Sequence, residues 1–162
     1  MENLPPILKR HSIHPVTLGF KNHFGSLDNL GGAGNDNPHP YIDPHDSRYR
    51  PDFSPLVEIN SNPNTAGKTV LTVGDGLFGA PSVGAMPVPW DTFSGAPNSL
   101  LFSRDPVAID CVMCDLLRAE WGLDEAAYDY LRLAQEWGLG TFYRGDPWGG
   151  GYTQFEYVRV NL

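Results

Sequence analysis

The sequence predicts an α/β protein, with a small, mostly parallel sheet flanked by helices and long Gly/Pro-rich loops. Two observations favour this fold class. Short apolar segments typical of buried strands alternate with helical patterns along the chain. The 18 glycines and 15 prolines among 162 residues predict long ordered loops between these elements. A chain of this length can bury one hydrophobic core, so we interpret residues 1–162 as a single domain.

The first third of the chain predicts one short strand and two helices. Residues 3–8, NLPPIL, are apolar enough for a strand at a sheet edge, where prolines are tolerated. Residues 16–24 carry apolar side chains at the spacing of one helix face, and Gly25 ends that helix. Residues 26–50 are rich in turn residues and predict a long loop. Residues 52–62 then supply a short helix.

The middle of the chain predicts two more strands. Residues 68–76, KTVLTVGDG, form the clearest strand pattern, which we expect to end in the Gly-Asp-Gly turn. A second Gly/Pro-rich loop covers residues 79–97. Residues 98–103, NSLLFS, then form a short buried strand.

The last third contains the strongest helix pattern. Asp105 is the expected N-cap of a helix that continues to Gly122. A second helix covers residues 124–137. The alternating tail, residues 155–162, predicts a final strand.

The charge of the chain limits its partners. Eleven Lys and Arg residues stand against nineteen Asp and Glu residues, so the net charge is −8. This balance argues against a nucleic-acid partner, because binding to phosphates needs a basic surface. No apolar run reaches the length that spans a bilayer, and the start lacks the apolar region of a signal peptide. As written, the chain is expected to be cytoplasmic, without a membrane partner.

Four segments of the chain together resemble a known family. They are LKRHSIHPVTLGFKNHFG, LTVGDGLFG, PNSLLFSRDPVAIDCVMCDLL and DYLRLAQEWGLGTFYRGDPWG. In this order they are similar to the C-terminal portion of the family called domain of unknown function 362 (DUF362), over about residues 4–159. The matching motif residues are Lys9, His11, Ser12, Lys21, Asn22, Asp75, Gly76 and Asp105 to Asp110. Family members commonly carry another α/β portion before this one, which we expect this chain to lack.

The resemblance also implies partners. Members of the family are often fused to, or encoded beside, ferredoxin-type iron–sulfur domains, which implies a ferredoxin-type partner. Only Cys111 and Cys114 are present, and two cysteines cannot hold a four-cysteine cluster, so no iron–sulfur cluster is expected in this chain. Both lie on adjacent turns of a predicted helix. We interpret them as small core residues, with a metal or redox role as the alternative.

The histidines predict a candidate metal site. All five fall within the first 45 residues of the chain. His11 and His14, together with His45 and Asp46 of the DPHDS loop, could supply the imidazole and carboxylate ligands of a divalent metal ion. The alternative is that these histidines are exposed or hydrogen-bonded groups without a metal.

A competing interpretation is an anion site. Lys9, Lys21 and Asn22 supply positive charge and donors around a helix start, where unpaired backbone N–H groups favour anions. Arg104 and Asp105, at a strand–helix junction, could reach the same face. The alternative is that the lysines are solvated and that Asp105 only caps its helix.

Two aspartates need separate interpretations. Asp75 follows a predicted strand and would project into a ligand crevice, although turn chemistry alone also favours aspartate there. Asp110 lies within an apolar helix, where a buried carboxylate needs a partner. We expect an ion pair with Arg104, Lys9 or Lys21.

These observations predict binding of a small anionic ligand, of a metal ion, or of both at the strand ends. If the protein is an enzyme, which the sequence leaves open, Asp75 or His11 would carry the proton and Lys21 would stabilise charge. The alternative belongs to another class. It is a non-catalytic structural or redox-accessory module that completes its sheet with another copy of itself or with a partner chain.

Overall fold

The strands form one small mixed sheet in the computed structural model, which describes residues 7–9, 19–26, 38–81, 85–92 and 98–161. The strands β1 (Ile7–Lys9), β2 (Thr72–Ala80) and β3 (Ser99–Ser103) lie in the order β1-β2-β3. β1 is parallel to β2, whereas β3 is antiparallel to it. The predicted mixture of helices and strands is therefore confirmed, but the sheet is mixed rather than mostly parallel. An antiparallel neighbour needs no helical crossover, and residues 85–92, between β2 and β3, contain no helix.

Three α-helices accompany the sheet, together with short 3-10 helices. The α-helices are α1 (Pro55–Ser61), α2 (Pro106–Trp121) and α3 (Asp129–Glu136). The 3-10 helices of the described residues are Gly19–Ser26, His39–Ile42, Ala66–Lys68 and Glu125–Tyr128. The helices predicted at residues 52–62, 105–122 and 124–137 are thus confirmed, the last as a 3-10 turn leading into α3. The helix predicted at residues 16–24 appears as a 3-10 helix, with residues 16–18 outside the described residues.

The central helix α2 begins and ends at local sequence signals. The carboxylate of Asp105 accepts hydrogen bonds from the backbone N–H groups of Val107 and Ala108, both at 2.9 Å. These bonds satisfy donors that have no partner within the helix. Pro106 takes the first helical position, where its missing N–H costs nothing. Gly122 ends the helix at a φ of +71°, a conformation that favours glycine.

The core lies around α2, which packs against both the sheet and α3. Every residue from Val107 to Leu117 is buried. Met113 of α2 packs against the sheet at Gly74, where a Cβ atom would fall 2.5 Å from the Met113 sulfur. At the far end of β2, the rings of Trp90 and Trp121 stack with centroids 5.4 Å apart. The glycines of β2 therefore allow the close approach of the central helix.

Strand β2 departs from the prediction at both ends. The predicted strand covered residues 68–76, but β2 begins at Thr72 and continues through Gly-Asp-Gly to Ala80. The predicted turn at Asp75 is wrong, because pairing with strands on both sides continues past it. Turn preference is a local effect, and pairing on two sides outweighs it.

The predicted final strand is also wrong for residues 155–161, which form no strand and have no sheet pairing. Two side chains fasten this segment to a neighbouring loop instead. The Tyr157 hydroxyl donates to the Pro147 carbonyl at 3.0 Å, and the Arg159 guanidinium donates to the Trp148 carbonyl at 3.2 Å. The alternation of the tail therefore reflects contacts with a loop rather than a sheet.

Candidate functional site

The sheet places the predicted ligand-binding residues at opposite ends. Lys9 of β1 is paired with Ala80, at the end of β2. Arg104 and Asp105 directly follow Ser103, which is paired with Thr72 at the start of β2. The strand from Thr72 to Ala80 spans about 26 Å at about 3.3 Å per residue. Because β3 is antiparallel, the backbone of Lys9 does not share one end of the sheet with Arg104 and Asp105.

Asp75 lies inside β2 and not at a strand end as expected. It is paired with Ile7 on one side and with Leu100 on the other. One oxygen of its carboxylate accepts a hydrogen bond from the backbone N–H of Leu77 at 2.9 Å. Its side chain is half-buried. The expected projection into a crevice at a strand end is therefore wrong, because the strand continues beyond this residue.

Asp105 uses both of its carboxylate oxygens for structure. One oxygen caps α2, and the other accepts the backbone N–H of Thr141 at 2.8 Å. Glycine at position 140 allows the loop to come this close to Asp105, because a Cβ there would fall 2.1 Å from the Asp105 oxygen that caps α2. Arg104 is exposed beside it. The hydrogen bonds of Asp105 thus connect the loop after α3 to the start of α2.

The carboxylate of Asp110 binds the start of the 3-10 helix Gly19–Ser26, where the sequence predicted that an anion would bind. Its carboxylate accepts the backbone N–H groups of Gly19 and Phe20 at 2.9 and 3.1 Å, which are the first two of the 3-10 helix Gly19–Ser26. The Tyr130 hydroxyl donates to the same carboxylate at 3.2 Å. The anion at this helix start is therefore supplied by the protein itself.

The environment of Asp110 raises its acid pKa. The side chain is fully buried, and burial raises the pKa to about 7, against the opposing effect of the three hydrogen bonds. Neither Arg104 nor Lys21 is among its partners in the described residues, and the Lys9 side chain lies outside them. The expected ion pair with Arg104 or Lys21 is replaced by two amides and a phenol.

Lys21 lies on the segment that Asp110 holds in place. Its side chain is half-buried, and burial lowers the pKa of its ammonium group. The start of this 3-10 helix lies close to the start of β2, since a Cβ on Gly19 would be 3.2 Å from the Thr72 methyl group. Lys21 and the backbone of Asn22 therefore belong to the end of the sheet that carries Arg104. The side chain of Asn22 lies outside the described residues.

The predicted metal ligands are only partly within the described residues. His11 and His14 lie outside them. His45 is exposed, and both carboxylate oxygens of Asp46 bind the guanidinium of Arg48, at 2.9 and 3.0 Å. Among the residues that the structure describes, no group of three or more His, Cys, Asp or Glu side chains is arranged to hold a metal ion. The metal site therefore remains a prediction.

Asp115 is a second buried carboxylate, which the sequence reasoning missed. It accepts hydrogen bonds from the hydroxyls of Tyr128 and Tyr152, both at 3.0 Å, and from the Gly145 N–H at 2.8 Å. Burial raises its pKa, and Arg118 lies 3.4 Å away. The sequence signal that could have identified Asp115 is the one that identified Asp110, namely an aspartate within the apolar stretch of α2. Both carboxylates fasten distant segments to α2.

The two cysteines lie in the core as free thiols. Cys111 and Cys114 are both buried. Burial raises the pKa of Cys111 to about 12 and also raises that of Cys114. A buried thiol with a raised pKa is a poor nucleophile and a poor metal ligand. This geometry favours the interpretation as small core residues.

One crevice of the described residues was a candidate for ligand binding. It lies between the His39–Ile42 helix and α3 and has a volume of about 10 Å³. Its lining includes Tyr41, Tyr49 and Ser54, whose hydroxyl is buried without a hydrogen-bond partner among the described residues. Such a volume is close to the room that one water molecule needs. The crevice is too small for an organic ligand.

The sheet face opposite α2 is the larger unexplained surface. Gly74 and Leu101 face α2, so their strand neighbours point away from it. We call this opposite side the open face; where β2 and β3 pair, its residues are Val73, Asp75, Leu100 and Phe102. Leu100 is 56% exposed and Phe102 is 62% exposed. Side chains of this size are normally covered in a folded domain when they share one face of a sheet.

Comparison with known proteins gives one match. The model of a family described as "Domain of unknown function (DUF362)" matches residues 4–115. Neither the curated proteins nor the solved structures contain a match to this chain. Within the described part of the chain, no helix is both long and apolar enough to cross a membrane.

Proposed function

Because this chain belongs to the DUF362 family, which has no established activity, we propose that it is a structural module that associates with a second copy of itself. The association uses the open face and the outer edge of its sheet. One observation carries this proposal: Leu100 and Phe102 of the edge strand β3 are each more than half exposed on the same face.

The exposed side chains supply the driving force for association. An aromatic side chain has about 150–250 Å² of surface, so on the order of 100 Å² of Phe102 is exposed, and an adjoining strand of a second copy covers part of it. Burial of about half of that area stabilises an interface by about 1 kcal/mol. Leu100 adds a similar contribution at the same place.

Charge favours this surface over others for contact between copies. The chain carries a net charge of −8, so two copies repel each other over most of their surfaces. The five residues Ser99–Ser103 include no charged side chain. Depletion of charge is typical of the buried centre of protein interfaces. A second copy can therefore approach β3 itself at a low electrostatic cost.

Light scattering coupled to size exclusion, over a series of protein concentrations, tests the proposal. The wild-type chain should reach twice the mass of one chain. Phe102→Glu should remain a folded monomer whose melting temperature does not depend on protein concentration, because the side chain is exposed in the single chain. Val160→Glu is the matched control, since Val160 is 73% exposed on the tail, and it should still dimerise. A wild-type monomer at every concentration would refute the proposal.

A second candidate function is the binding of a small anion at the sheet end that carries Lys21 and Arg104. The supporting observation is the half-buried Lys21, whose pKa is lowered by burial. Lys21 and Arg104 together place two positive charges at this end of the sheet, which favours the approach of an anion. Arg104, exposed at the start of α2 on the same end of the sheet, could add a bidentate contact to a phosphate or carboxylate group.

Calorimetric titration with inorganic phosphate tests this candidate. Binding should be lost in Lys21→Ala and weakened in Arg104→Ala. Lys68→Ala is the control, because Lys68 is exposed on a separate 3-10 helix, and it should bind phosphate as the wild type does. Equal binding by all four proteins, or no binding by any of them, would contradict an anion site at this end of the sheet.

A further inference from the structure

The outer edge of strand β3 carries none of the residue types that usually protect an edge. In the described part of the chain, β3 pairs with β2 and with no other strand. Natural edge strands are normally blocked by charged side chains, by proline or by a bulge. Ser99–Ser103 contains no charge and no proline, and its pairing with β2 is regular over all five residues. Such an edge can accept a further strand.

The sequence of β3 is nearly the same in both directions. Ser-Leu-Leu-Phe-Ser keeps its order of polar and apolar residues when it is reversed. Antiparallel pairing of β3 with a second β3, centred on Leu101, places Ser99 opposite Ser103 and Leu100 opposite Phe102. A two-fold interface needs this self-complementarity, because each residue meets its partner twice. Both apolar pairs then lie on the open face, where cross-strand neighbours contact each other.

Asp75 favours pairing at the edge over stacking of the two open faces. It lies between β1 and β3 in the middle of the sheet, on the same face as Leu100. Stacking would take two Asp75 carboxylates out of water at the centre of the interface, where desolvation opposes the association. Pairing at the edge leaves both carboxylates in water, separated by three strand spacings, or roughly 14 Å. This separation exceeds the screening length at physiological salt.

We propose that two copies of this chain join their β3 strands in antiparallel register. The two-fold axis that relates the copies passes between their two Leu101 residues. The product is one six-stranded sheet of order β1-β2-β3-β3-β2-β1. This inference rests on the proposed function and specifies the geometry of the same surface. In this register Arg104 lies opposite Asn98 of the second copy, so no like charges face each other along the strand.

Single cysteine substitutions can map this register by oxidative cross-linking. Leu101→Cys should cross-link to itself, since the two copies of residue 101 are direct neighbours. Ser99→Cys alone and Ser103→Cys alone should not, because four residue steps separate the like positions, roughly 13 Å along the strand. That distance exceeds the reach of a disulfide. An equimolar mixture of Ser99→Cys and Ser103→Cys should give a mixed disulfide.

The serine variants keep the test valid if Leu101→Cys fails to fold, because serine and cysteine are similar in size. The wild type under the same oxidation is the control for the buried Cys111 and Cys114, and it should give no cross-linked dimer. Self-cross-linking of Ser99→Cys, or a dimer by mass without the mixed disulfide, would overturn this register and leave self-association intact. A monomeric wild type would overturn both proposals.

Discussion

The carboxylate of Asp110 accepts a hydrogen bond from the backbone N–H of Gly19 at 2.9 Å, across 91 positions of the chain. Glycine is needed at this contact, because a Cβ on Gly19 would lie 2.8 Å from the same oxygen. The last aspartate of the Asp-Pro-Val-Ala-x-Asp motif therefore positions the helix that carries Lys21 and Asn22. In this chain, two of the motifs that resemble the DUF362 family are joined by one buried carboxylate.

Replacement of Asp110 by alanine should destabilise the fold. The change leaves the N–H groups of Gly19 and Phe20 and the hydroxyl of Tyr130 without their acceptor in a buried site. Each unsatisfied group costs about 1–3 kcal/mol, so the free energy of unfolding in urea should fall by at least about 2 kcal/mol. Asp124→Ala is the control, since this exposed residue makes no side-chain capping bond, and it should change stability little. Equal stability of the two variants would show that the hydrogen bonds of Asp110 do not stabilise the fold.

The raised pKa of Asp110 predicts how stability depends on pH. Its pKa is about 7 in the folded protein, against an ordinary value of 3.8, so the folded state binds this proton more tightly. The resulting stabilisation is present below about pH 4 and is lost as the pH rises to about 7. Wild type should therefore lose stability relative to Asp110→Asn over this interval, in urea unfolding at a series of pH values. Asp115 is present in both proteins, so its own raised pKa cancels in the comparison. A difference that stayed constant or grew in favour of wild type would contradict the assignment.

Gly79 should tolerate no side chain. A Cβ at this position would fall 2.3 Å from the ring of Trp121 and 3.1 Å from that of Trp90. These stacked rings cannot shift independently, so Gly79→Ala should cost about 1–3 kcal/mol of unfolding free energy. Gly67→Ala is the matched control, because nothing lies within 4 Å of its Cβ position. Thermal and urea unfolding should separate the two variants, and a Gly79→Ala protein as stable as Gly67→Ala would show that the packing at β2 is looser than described.

The two thiols should be unreactive in the native protein. Cys111 and Cys114 are buried, and burial raises both pKa values, so little thiolate forms and reagents have no access. Labelling with Ellman's reagent should be negligible under native conditions and should reach two thiols per chain in denaturant. Rapid labelling of either thiol in the folded protein would instead support a redox or metal role.

The elements that the sequence predicted well are those with local signals. Asp105, Pro106 and Gly122 mark both ends of α2 by their own chemistry, and neighbouring residues alone decide such positions. The turn at Asp75 was predicted from the same kind of local preference, and pairing with β1 and β3 overrode it. Local chemistry therefore predicts helix ends better than strand ends.

The candidate site was harder to predict because it depends on strand direction. Nothing in the segment Ser99–Ser103 tells whether it runs parallel or antiparallel to β2, and this choice separates Lys9 from Arg104. Two of the three partners of Asp110 are backbone groups about 90 positions away, which composition and spacing cannot indicate. An apolar strand such as β3 reads as buried on both faces, so the exposure of Leu100 and Phe102 had no signal in the sequence.

Hydrogen exchange of the β3 amides at several protein concentrations tests most directly whether a second copy covers this strand. If two copies pair there, those amides of Leu100 to Phe102 that point away from β2 should exchange more slowly as the concentration rises, whereas the amides in the centre of α2 should not change. Exchange of the β3 amides at the same rate at all concentrations would contradict the account.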